Sequence, residues 1–132
     1  MRRSCTVLCF VLALGLVSGC ESEPAPPSIA KVSGTVRLGG KPIPTGEIHF
    51  GMTGVPPSVL QINAGDFAGE ALVGSHKVEV FVYVEGPPSA KYGGMRSKTN
   101  TVPEQYWGAN TTLSASVTES GDNVFKFDLN AR

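Results

Sequence analysis

Cysteine is scarce in this 132-residue chain, and it is confined to the start. Cys5, Cys9 and Cys20 all fall in the first twenty residues, so the remainder can form no disulfide and must be held by packing. An excess of either charge is missing too. Eleven basic and eleven acidic residues balance, with no basic patch to suggest nucleic acid and no acidic block to suggest a solvating tail. There are only two histidines, His49 and His76, far apart and without His-x-His or His-x-x-x-His spacing, so no metal site is expected. No serine sits between the glycines of a nucleophile elbow, and Gly93-Gly94 is too short for a phosphate loop. No internal repeat and no amphipathic helical period is present. These gaps leave no recognisable catalytic or cofactor-binding constellation.

One long apolar run is present. Arg2 and Arg3 precede a stretch from Cys5 to Val17 broken only by Thr6, about 13 residues, within the range of a signal-peptide core and short of a spanning helix. Leu16-Val17-Ser18-Gly19-Cys20 then resembles the lipobox of bacterial lipoproteins. That resemblance implies cleavage after Gly19, acylation of Cys20, and a chain tethered to a bacterial membrane facing the periplasm or exterior. Two or three acyl chains anchor firmly where one holds only marginally. The expected organisation is a lipoprotein signal peptide over 1–19, a Pro-rich stalk over 20–29 with Pro24, Pro26 and Pro27, and one domain over 30–132.

Sixteen glycines and ten prolines imply frequent turns, and the pattern between them alternates. Val32, Val36 and Leu38 share one face of a first strand, with Gly34 on the same side where a missing side chain admits another backbone. Gly39-Gly40-Lys41-Pro42-Ile43-Pro44 reads as a turn. Further strands are expected over Gly46–Phe50 and Ser58–Asn63, with a short one around Phe67. His76–Val84 is the most strongly strand-forming stretch, with Val78, Val80, Val82 and Val84 on one face. Thr111–Thr118 and Val124–Leu129 follow, joined through Gly121-Asp122-Asn123 as a hairpin-type turn. Seven short strands without a helix predict a single all-β, antiparallel β-sandwich, with a small barrel as the alternative.

Several of these segments together resemble the carboxypeptidase regulatory-like family. They are Val32-x-Gly34-x-Val36, Gly40-Lys41-Pro42-Ile43-Pro44, Gly65-Asp66-Phe67 and Gly74-x-His76-Lys77-Val78. Val102-Pro103-Glu104-Gln105-Tyr106, Leu113-x-Ala115-x-Val117 and Asn123-x-Phe125-x-Phe127-Asp128-Leu129 are similar to small bacterial lipoproteins built on that domain. The resemblance implies a transthyretin-like, seven-stranded Greek-key sandwich. It carries turn and core residues, which speak for fold more than for function.

Between the valine strand and Thr111, residues Glu85 to Asn110 read as a long irregular loop, a length that in a compact domain marks a segment as either functional or mobile. Tyr92, Arg96, Lys98, Tyr106 and Trp107 place aromatic and basic groups on it, a set able to bind an envelope polysaccharide or a protein by stacking and charge. The opposing expectation is that Tyr106 and Trp107 pack back onto the domain. His49 beside Glu47 is expected on an outer strand face, and His76, at a strand entrance, as a turn-capping or half-buried residue. The function expected from these residues is non-catalytic: binding, adhesion or scaffolding at the envelope, without a cofactor. A small envelope enzyme with metal-dependent chemistry is the alternative.

Overall fold

A computed structural model describes residues 25–132; the leader, Cys20 and the start of the stalk lie outside the described residues. Alternation of apolar and polar residues does what it should on the longer strands of the main sheet, where inward positions are buried and most of their neighbours are not. The strands are β1 (Ile29–Leu38), β2 (Lys41–Pro42), β3 (Thr45–Gly51), β4 (Ser58–Asn63), β5 (Asp66–Leu72), β6 (Gly74–Phe81), β7 (Tyr83–Pro88), β8 (Arg96–Asn100), β9 (Leu113–Val117) and β10 (Asn123–Leu129). Seven of them form a path β10-β1-β5-β4-β3-β6-β9, with β2 beside β1, while β7 and β8 form a separate two-stranded sheet.

The main sheet is curled, and it folds between β4 and β5. Those strands pair only beside their turn, Ile62 with Phe67 and Asn63 with Asp66, and then separate. Three strands thus face four across an apolar core. Phe50 on β3 has its ring 5.9 Å from Phe67 on β5 and 5.9 Å from Phe125 on β10. Val36, Ile48, Ile62, Val78 and Val80 are wholly buried between them. The packing is sandwich-like, and there is no disulfide among the described residues.

Gly34 occupies the tightest point. It lies opposite Phe125 on one side and Phe67 on the other, and a Cβ there would overlap the Phe125 carbonyl oxygen. Gly39 and Gly40 take positive φ, 59° and 79°, in the turn their sequence implies.

Several expectations are corrected. The sheet is not wholly antiparallel, because β1 and β10 run parallel from Val32–Asn123 to Leu38–Leu129. Gly121-Asp122-Asn123 is therefore no hairpin turn; it carries the chain from β9, paired with β6, across to the other half. Asn123 secures that crossing from a buried position. Its Oδ1 accepts from the Thr118 amide at 2.8 Å, and its Nδ2 donates to the carbonyls of Thr118 and Lys31 at 2.8 and 3.1 Å. The strand around Phe67 is longer than expected and pairs with β1 along its whole length. The first strand begins at Ile29, one residue before the alternation at Ala30, with Ile29 opposite Leu72. The valine strand ends at Phe81, and Val84 is exposed. Past it, the expected irregular loop is largely the β7–β8 hairpin. Pro87 and Pro88 obscured that hairpin. They sit where the register shifts between Glu85 and Pro88, in a two-stranded ribbon that tolerates a missing N–H.

Candidate functional site

The hairpin leaves the main sheet at Val82, where the backbone partners change. The Val82 amide donates to Asn100 Oδ1 at 2.9 Å, and the Val82 carbonyl accepts from the Thr101 amide at 2.9 Å. From there Tyr83 pairs with Asn100, Val84 with Thr99 and Glu85 with Lys98. The tip is closed by Ser89: its carbonyl accepts from the Tyr92 and Gly94 amides, and its amide donates to Met95 O at 3.0 Å. Gly93, at φ 62°, ends the short 3-10 turn Ala90–Tyr92.

Large apolar side chains that could have been buried are instead displayed here. Tyr83, Val84, Tyr92 and Met95 are 51%, 54%, 59% and 69% exposed. Lys91 Nζ stands over the Tyr92 ring, 5.6 Å from its centroid, and Arg96 Nη1 donates to Gly86 O at 3.3 Å. Pro87, Ser89, Tyr92, Met95, Arg96 and Ser97 line a cleft of about 410 Å³. Lys98 faces Glu85 across the ribbon, which leaves Lys91 and Arg96 as the hairpin's surplus positive charge.

Of the five residues that the sequence grouped on one loop, Tyr92, Arg96 and Lys98 lie on this hairpin. Tyr106 and Trp107 do not join them. Tyr106 is buried, and its hydroxyl accepts from the Asn130 amide at 3.0 Å. Trp107 packs against the core, with Nε1 donating to Val102 O at 2.8 Å and its ring 6.3 Å from Phe81. Spacing could not separate these groups, because the 3-10 turn Glu104–Tyr106 brings the chain back to the domain after β8.

A second cluster, missed from sequence, lies at the hairpin's base on the outer face of β3, β4 and β6. Register sets Gln61, Glu47 and Phe81 side by side across three strands. Gln61 Nε2 donates to Glu47 Oε1 at 3.5 Å, and His49 Nε2 lies 3.2 Å from Glu47 Oε2. These two contacts, that of His49 foremost, hold the Glu47 carboxyl below its ordinary value, and Lys98 adds a weaker attraction. The Phe81 ring is 4.7 Å from His49 and stacks on Tyr83 at 5.8 Å with 12° between planes. Thr45, Gly46, Glu47, Gln61, Phe81 and Tyr83 enclose a cleft of about 190 Å³. Tyr83 comes from the hairpin and the rest from the sheet, so only pairing order could have revealed it.

The two histidines do not converge. His49 is half-buried on the outer face, while His76 is 3% exposed on the core face, its Nε2 2.7 Å from Leu72 O and its ring 5.8 Å from Phe50. His76 is thus more deeply placed than a turn cap, because its alternation puts it in line with Val78 and Val80. Among the described residues no three His, Cys, Asp or Glu side chains stand close enough to hold a metal. Comparison with protein-family models, curated proteins and solved structures returned no match.

Proposed function

We propose that this chain is a lipid-anchored cell-envelope protein whose β-domain is a non-catalytic binding module, with the β7–β8 hairpin as its contact element. The observation that carries the reading is the hairpin's display of Tyr92 and Met95 beside Lys91 and Arg96 toward its tip, with Tyr83 and Val84 exposed at its base, on a ribbon apart from the main sheet. Loops and ribbons borne on a rigid scaffold suit binding because the scaffold's stability does not depend on them.

Placement supports it further. Ser28 O accepts from the Val73 amide, so the chain enters beside one end of β6, and the hairpin departs from the other. The eight residues of β6 separate the two by about 26 Å. A tether at Cys20 would therefore leave the hairpin directed away from the membrane, toward an envelope polysaccharide or protein. The three-against-four strand arrangement supports a transthyretin-like, carboxypeptidase regulatory-like domain as its fold type.

The test is retention of the full chain on purified cell-wall sacculi and on envelope proteins. Replacing Tyr92, Arg96 and Lys98 together with alanine should leave the melting temperature within a few degrees and abolish retention. Retention that survives the triple change removes the hairpin from the contact. For the tether, Cys20→Ser should abolish lipid labelling and release the chain from the membrane; labelling that persists would overturn it.

A further inference from the structure

We propose that the cleft at the hairpin base is a saccharide subsite, taking one ring of a neutral, hydroxyl-rich glycan between Tyr83 and the Glu47–Gln61 pair. This goes beyond the tether and the hairpin tip and depends on neither. A sugar ring has an apolar C–H face and a rim of hydroxyls, and the cleft offers a partner for each. Tyr83 is half exposed and lies nearly parallel to Phe81, giving an apolar aromatic wall with a hydroxyl at its edge. Glu47 is a pure acceptor when ionised, suited to hydroxyl donors, and its neighbours keep it in that form. Gln61 can both donate and accept. Gly46 contributes backbone to the lining.

Alternatives fit less well. An anionic ligand would meet the Glu47 carboxylate, and a purely apolar one would cover that carboxylate and the Gln61 amide without satisfying them. The volume of about 190 Å³ suits a single ring rather than a large cofactor. Gln61, Glu47 and Phe81 are also set by strand register, so the polar and apolar partners are spaced before any ligand arrives.

The probe is chitotetraose, a neutral oligosaccharide, titrated into the isotope-labelled full chain in a sugar-free detergent, with cellotetraose in parallel and a hyaluronan tetrasaccharide as the anionic counterpart. Saturable shifts should centre on the amides of Glu47, Gln61 and Tyr83 with at least one neutral oligomer. Tyr83→Ala and Gln61→Ala, both at exposed positions, should each weaken binding at least tenfold while the rest of the spectrum stays folded. Joint replacement of Lys91 and Arg96 with alanine should change nothing at this cleft. No saturable shift with either neutral oligomer, shifts indifferent to both cleft variants, or tighter binding of the anionic sugar would each overturn the proposal.

Discussion

At the scale of single residues, Gly34 and Glu47 show two ways a position can be constrained. Gly34 is constrained by another backbone, since the Phe125 carbonyl occupies the space where a side chain would begin. Gly34→Ala should therefore act as overpacking and cost about 1–3 kcal/mol, read as a lowered melting temperature of the full chain. An unchanged melt would mean that β1 and β10 do not approach so closely. Glu47 is constrained by charge and hydrogen bonding. Its folded-state pKa lies below its unfolded value, so ionised Glu47 adds stability above the unfolded pKa, and that contribution is lost as pH falls through the folded one. Wild type should exceed Glu47→Gln in stability near neutrality, and the difference should fade below the ordinary value of 4.5. The side chain is 40% exposed, so the effect should be small. A constant difference across that range would contradict the assigned contacts.

At the scale of elements, the junction at Val82 decides what β7 and β8 become. Asn100 Oδ1 takes both the Val82 amide and the Val102 amide, at 2.9 and 3.2 Å, and so fixes the point where the chain leaves the sheet and returns. Asn100→Ala would leave two partly buried donors without an acceptor, at a cost of about 1–3 kcal/mol. Faster hydrogen exchange at Val82 and Val102, with the amides of β3 and β4 unaffected, is the expected signature. Uniform protection across the variant would show that the hairpin is held by other contacts. The same junction explains why the valine alternation overran the real strand. Val82 and Val84 continue the pattern in composition, but Val84 has left the core and is over half exposed. Trp107, by contrast, returns to the domain, packing against the core with its ring near Phe81. Trp107→Ala should destabilise by roughly 2–3 kcal/mol, somewhat less than the loss of a fully buried tryptophan. A melting temperature unmoved by that change would detach Trp107 from the core.

At the scale of the molecule, two half-sheets packed on one apolar core must supply all the cohesion, since no cysteine lies among residues 25–132. The melting temperature of the full chain should be the same with and without reductant, and Val80→Ala should cost about 1–3 kcal/mol of stability, read as a lowered melting temperature. Dependence on reductant would point to a covalent link involving the first twenty residues.

The amino-acid sequence by itself determined the all-β character, the inward faces of most strands and the glycine at the β1–β10 approach. Each of these is local: alternation follows from the two-residue period of a strand, and turns follow from glycine and proline. Tertiary structure alone decided which strands became neighbours. The parallel pairing of β1 with β10, the fold of the sheet between β4 and β5, and the row Gln61–Glu47–Phe81 all join segments distant in the chain. So does the separation of Tyr92, Arg96 and Lys98 from Tyr106 and Trp107, which adjacency in sequence had grouped together. Local preferences set the faces that strands present, whereas partners are chosen by the burial of those faces against one another, a property no single stretch carries.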